Sequence, residues 1–115
     1  NGWDFQLALE ILAMLRWARD QAEVRGLGLP EMAKRAGVGD RQLHEALEVL
    51  ERLAWVGALD ESDARYVLLM EPARTPVREL AKALLLPYAL ELEGFWQRTG
   101  LVQASVAEVL PNYRP

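Results

Sequence analysis

Apolar residues recur at helical spacing along most of the chain, broken once by a short stretch of strand-like pattern. Phe5, Ala8, Leu9, Leu12 and Leu15 form one stripe, and Leu7, Ile11, Met14, Ala18 and Ala22 form a second. The two stripes together predict a first helix that is apolar over a broad face and packs on more than one side. Asp4 is placed to cap it, and its end is expected near Glu23 or Val24. Arg25-Gly26-Leu27-Gly28 reads as a turn, with a very short strand within Leu27 to Leu29.

The next stretch carries the strongest local signals. Pro30 suits the first turn of a helix, where its missing N–H has no intrahelical partner to lose. Ala33 is small where a second helix must cross, and Gly37 can take the left-handed conformation that ends a short helix. Asp40 is expected to cap the following helix. That helix carries Leu43, Ala46, Leu47, Leu50, Leu53 and Ala54 on one side, with Gly57 as its stop. Ala58-Leu59 and Tyr66-Val67-Leu68-Leu69 then read as two short strands, with the polar run Asp60-Glu61-Ser62-Asp63-Ala64 between them. Two helices joined by a tight turn and followed by a hairpin make a winged helix-turn-helix: helices over about 30–57, wing over about 58–70.

After Met70, Glu71-Pro72-Ala73-Arg74 is a linker in which Pro72 biases Glu71 toward an extended backbone. Thr75 as cap and Pro76 in the first turn open another helix, with Val77, Leu80, Ala81, Leu84 and Leu85 as its buried stripe and Pro87 as its end. Tyr88 to Arg98 reads as a further helix, stopped at Thr99-Gly100. Ser105 with Glu108 fits a capping box before a short helix through Val109-Leu110, closed by Pro111. The fold class is therefore mainly α with a small β-hairpin: one winged-helix domain over 1–115, with extra N-terminal and C-terminal helices, the latter within about 75–110.

Composition narrows the chemistry. The 115 residues suffice for one domain with one core, and 51% hydrophobic with 26% charged residues is ordinary for a globular protein. No apolar run reaches the length of a membrane span, and no signal-peptide pattern opens the chain. With no cysteine and one histidine, disulfides, thiolate metal sites and histidine clusters are out of reach. No cofactor, metal or catalytic residue is assigned. The start at Asn1, without an initiator methionine, and the end at Tyr113-Arg114-Pro115 read as those of a fragment of a longer protein.

Charge bears on what the helix-turn-helix is for. The formal net charge is −4. On the long helix, Arg41, Glu45, Glu48 and Arg52 lie opposite the Leu47 and Leu50 stripe. Arg41 with Glu45, and Glu48 with Arg52, are spaced to bridge, each pair stabilising by roughly 0.2–0.5 kcal/mol. From Asp40 to Gly57, two arginines face four carboxylates; in the wing, Asp60, Glu61 and Asp63 face Arg65. DNA affinity comes largely from neutralising phosphates, so acids on both the reading helix and the wing oppose it. A surface facing solvent or another protein is the better reading. If DNA were bound nonetheless, Arg41, Gln42, His44, Arg52 and Arg65 are the candidate contacts. Trp3 and Trp55 are candidate anchors for a protein partner, set against core packing, while Trp17 and Trp96 read as core fillers.

Several segments carry a resemblance: Leu29-Pro30-Glu31-Met32-Ala33 with Ala36-Gly37-Val38, Ala46 to Leu53, Arg65 to Pro72, Thr75-Pro76 and the Leu84-Leu85-Leu86 run. Over most of residues 4–110 the chain resembles the C-terminal cytosolic domain of the ribonuclease BN-like (YihY-type) inner-membrane proteins of bacteria. The resemblance implies a multi-helix membrane domain before Asn1 and a place on the cytoplasmic side of the inner membrane. The family name implies a tRNA-processing ribonuclease, but no residue here carries that chemistry. The expectation is a non-catalytic accessory module whose partner is another protein or its own membrane domain, with homodimerisation open. The alternative is a small DNA-binding transcription regulator of the MarR or Rrf2 kind.

Overall fold

The computed structural model describes residues 2–59, 65–85 and 103–114, with the backbone alone for Trp3 and Leu85. Helix α1, Gly2–Arg19, runs through the centre. Leu7, Ala8, Leu9, Ile11, Leu12, Ala13, Met14, Leu15 and Ala18 are all buried, which is the broad apolar face that the two stripes predict. It packs against α2 (Leu29–Ala36), α3 (Asp40–Arg52), α4 (Arg78–Leu85) and the sheet. The helix begins two residues before Asp4, which lies in its first turn. It also ends earlier than the periodicity suggests. Ala22 and Glu23 are exposed, so nothing apolar holds a further turn against the core. The chain instead turns through Gln21 and Val24, whose amides donate to the carbonyls of Ala18 and Gln21.

Gly26 then takes φ +74°, and β1 (Leu27–Gly28) follows. In α2, Pro30 occupies the first turn, and Gly37 closes the helix at φ +70°, its amide donating to the Ala33 carbonyl. The cap of α3 is Gly39 and not Asp40, which is the first helical residue and makes no side-chain cap bond. At that position its charge still favours the helix N-terminus. The helix stops at Arg52, before Gly57. Ala54 takes the left-handed turn at φ +62°, and the Trp55 amide donates to the Leu50 carbonyl. This closure swings Trp55 into the core and frees Gly57 for β2 (Val56–Leu59).

Strand β3 (Arg65–Leu68) is central in a three-stranded antiparallel sheet of order β1-β3-β2. Val56 pairs with Leu68, Gly57 with Val67 and Leu59 with Arg65. The strands thus start earlier than the predicted Ala58 and Tyr66. The predicted wing tip, Asp60 to Ala64, lies outside the described residues, as do Pro87, the Tyr88–Arg98 helix, Thr99-Gly100 and Trp96.

Pro72–Arg74 forms a single 3-10 turn where a linker is expected, with Glu71 extended before it. Thr75 does not cap α4. Its hydroxyl donates to the Glu71 carbonyl at 2.7 Å, and the helix starts at Arg78. The backbone from Thr75 to Val77 is used elsewhere. Val77 N–H donates to the Ala104 carbonyl, and Val106 N–H donates to Thr75. The capping box of Ser105 and Glu108 is present and opens α5, Val106–Val109. Val77, Leu80 and Val106 meet α1 and α3 in one core, and among the described residues no polar side chain is buried.

Candidate functional site

Helix α3 presents the face on which a winged helix reads DNA. Its inner side is fixed by burial of Leu43, Ala46, Leu47 and Leu50. That leaves Asp40, Arg41, His44, Glu45, Glu48, Glu51 and Arg52 exposed, with Gln42 half-buried. Arg41 donates through Nε to Glu45 at 3.3 Å, as the i,i+4 spacing predicts, and its side chain is 93% exposed. A pair so open to water contributes little to stability, but it does neutralise the first cation of the helix. Glu48 and Arg52 make no such pair with each other.

Arg65 does not project as a wing cation. Its guanidinium donates to the carbonyls of Arg25 and Gly26, at 3.2 and 3.3 Å, and so ties β3 to the turn before β1. Of the five candidate DNA contacts, α3 therefore brings Arg41, Gln42, His44 and Arg52 onto one helix, and Arg65 is engaged with backbone. Trp55, at 6% exposure, is part of the core and not an open anchor. The Trp3 side chain lies outside the described residues.

A second polar cluster is not readable from local spacing. Arg35, on the last turn of α2, donates to the Tyr113 hydroxyl and, at 2.9 Å, to Glu31. Its guanidinium sits 5.7 Å from the ring centres of both Trp17 and Tyr113, and the two rings meet edge to face at 5.7 Å. The hydrogen bond that Arg35 donates to Tyr113 holds the Arg35 pKa above its already high ordinary value, against the opposing effect of burial and with a smaller contribution from the Glu31 charge. Trp17, which reads as a core filler, is half-buried and forms one wall of this clamp.

Among the described residues no three His, Asp or Glu side chains come together in a way that could hold a metal ion. No described helix is long and apolar enough to cross a membrane.

No family model matches the chain. Over 110 residues it is 42% identical to a UPF0761 membrane protein of Methylibium petroleiphilum, an overlap of 95% of this chain and 26% of that protein. A UPF0761 membrane protein of Delftia acidovorans is 33% identical over 121 residues, covering 97% of this chain and 29% of the relative. The chain is homologous to one region of the UPF0761 membrane proteins. It spans little more than a quarter of their length. In three dimensions it is similar to IscR of T. potens, with a TM-score of 0.64 at 16% identity over 95% of this chain and 81% of that one. It is likewise similar to CymR, the global cysteine regulator of B. subtilis, with a TM-score of 0.69 at 14% identity over 96% and 95%. At such identities the likeness is one of fold, and it establishes the winged helix. The expected membrane-protein relationship stands at the level of the UPF0761 group.

Proposed function

We propose that this winged helix is a non-catalytic interaction module of a larger UPF0761-type membrane protein, on the cytoplasmic side, whose α3 face meets protein and not DNA. One observation carries the reading: the exposed side of α3 holds Asp40, Glu45, Glu48 and Glu51 against Arg52 and an Arg41 already paired with Glu45. Arg65, which would add a cation from the wing, is bound to backbone carbonyls. A polyanion gains by releasing counterions to cations and loses by approaching carboxylates. The partner is the membrane portion of the same polypeptide or a separate protein that it recruits.

The fold likeness to IscR and CymR supports a second reading, a DNA-binding regulator contacting DNA through Arg41, Gln42, His44 and Arg52. Fluorescence anisotropy with a random duplex separates the two. The interaction-module reading expects binding weaker than about 10⁻⁴ M at physiological salt, below ordinary non-specific affinity. Micromolar, salt-sensitive binding that Arg41→Ala weakens would instead establish the regulator.

A further inference from the structure

The hairpin breaks the usual rule for a half-exposed antiparallel sheet, apolar on the core side and polar on the other. Val56, Tyr66 and Leu68 point into the core and are buried. The opposite face, set by the Gly57–Val67 and Leu59–Arg65 pairs, carries Leu59 and Val67, with Leu69 just beyond at 59% exposure. Leu69 is the one large apolar side chain so exposed among the described residues. It lies over Gly57, where a Cβ would come within 2.9 Å of it. Beside Arg65, the outer face of this hairpin is therefore apolar, and Leu59 and Val67 on it border a groove that reaches Leu15 and Leu68 of the core side.

The groove has a volume of about 270 Å³, near the lower end of small-molecule sites. It is lined by the apolar residues Leu15, Val24, Leu59, Val67 and Leu68, by Gly26, and by Arg19 and Arg25. Arg19 is occupied, donating to the Met70 carbonyl at 2.9 Å and pairing with Glu71 at 3.5 Å. Arg25 is exposed in the turn, and its own carbonyl accepts from Arg65. Its guanidinium takes part in no ion pair or hydrogen bond among the described residues. A largely apolar slot whose lining includes Arg25, uncommitted among the described residues, complements a molecule with an alkyl tail and a single anionic head.

We infer that the groove between the end of α1, the turn at Val24 to Gly26 and the outer face of the hairpin binds a long-chain carboxylate. The tail lies along Val24, Leu59 and Val67, and the carboxylate meets Arg25. No α3 residue lines the groove, so this site is independent of whatever covers the acidic helix.

The test titrates the 115-residue protein with dodecanoate below its critical micelle concentration, by calorimetry and amide chemical shifts. Dodecyltrimethylammonium, dodecanol and phosphatidylcholine vesicles serve as comparison probes. The expected result is saturable one-to-one binding of dodecanoate, with shifts confined to residues around Gly26 and Val67. The cationic probe and Arg25→Gln each weaken binding about tenfold or more, the loss expected for one charge-assisted hydrogen bond. Arg25→Gln changes an exposed turn side chain, so its melting temperature is expected to stay at the wild-type value, and Arg41→Gln, on α3, is expected to leave binding unchanged. Equal binding of both charged probes, indifference to Arg25→Gln, or binding to vesicles but not to free dodecanoate would overturn the proposal. So would a doubling of the mass that buries the groove between two copies.

Discussion

Arg35 on α2 and Tyr113 near the C-terminus, 78 residues apart in sequence, are joined by a hydrogen bond in which the guanidinium donates to the phenol oxygen. The same guanidinium lies over the rings of Trp17 and Tyr113, so α1, α2 and the C-terminal segment meet at one point. Because the cluster is open to solvent, its worth lies mainly in the ring contacts and less in the charge. Tyr113→Ala is expected to lower stability by about 1 kcal/mol. Tyr113→Phe, which keeps the ring and loses only the hydroxyl, is expected to cost less. Urea denaturation of the two variants side by side checks the order.

Gly26 and Gly37 both have positive φ, but their surroundings differ. A Cβ on Gly26 would lie 2.5 Å from the Tyr66 carbonyl oxygen, on the backbone of the central strand. A Cβ on Gly37 meets nothing within 4 Å. Gly37→Ala is thus expected to cost only the left-handed backbone, about 1–2 kcal/mol. Gly26→Ala adds a backbone collision and is expected to cost clearly more, shifting β1 away from β3. Thermal melts that place the two variants together, or in reverse order, would contradict this account of the turn.

Tyr66 gives the fold an alkaline limit. Burial, and then the nearby Glu51 charge, raise its pKa above the ordinary value of 10.0. Above pH 10 the unfolded chain releases this phenolic proton while the folded chain keeps it. The folded state then binds more protons, so stability falls as pH rises. Stability is expected to be insensitive to Tyr66 below pH 10 and to decline above it. In Tyr66→Phe the decline should be shallower, as read by urea midpoints between pH 8 and pH 11.

What the sequence makes legible here is what neighbours in the chain decide. Pro30, Gly37, the Ser105–Glu108 box and the Arg41–Glu45 pair each act within four residues, and each stands where the spacing puts it. The departures come from contacts across the fold. Thr75 fails as a cap because its backbone pairs with residues 104–106. Arg65 is lost to the wing because the Arg25 turn needs a donor. Trp55 is buried because Ala54, and not Gly57, takes the left-handed turn. The outer sheet face did leave a trace: the unbroken apolar run from Tyr66 to Met70, where strict alternation would mark a half-solvated strand. The Arg35 clamp left none, since nothing in the spacing of Trp17, Arg35 and Tyr113 signals proximity.

The central claim is that carboxylates on α3 turn this winged helix away from DNA, and one comparison tests it most directly. Anisotropy titrations with a random duplex at low salt are run on the wild-type protein and on Glu45→Gln/Glu48→Gln/Glu51→Gln, all three exposed positions. The account predicts negligible binding by the wild type and a gain of salt-sensitive binding by the variant, as the repulsive charges are removed. Salt-sensitive binding by the wild type in the micromolar range, little changed in the variant, would contradict it.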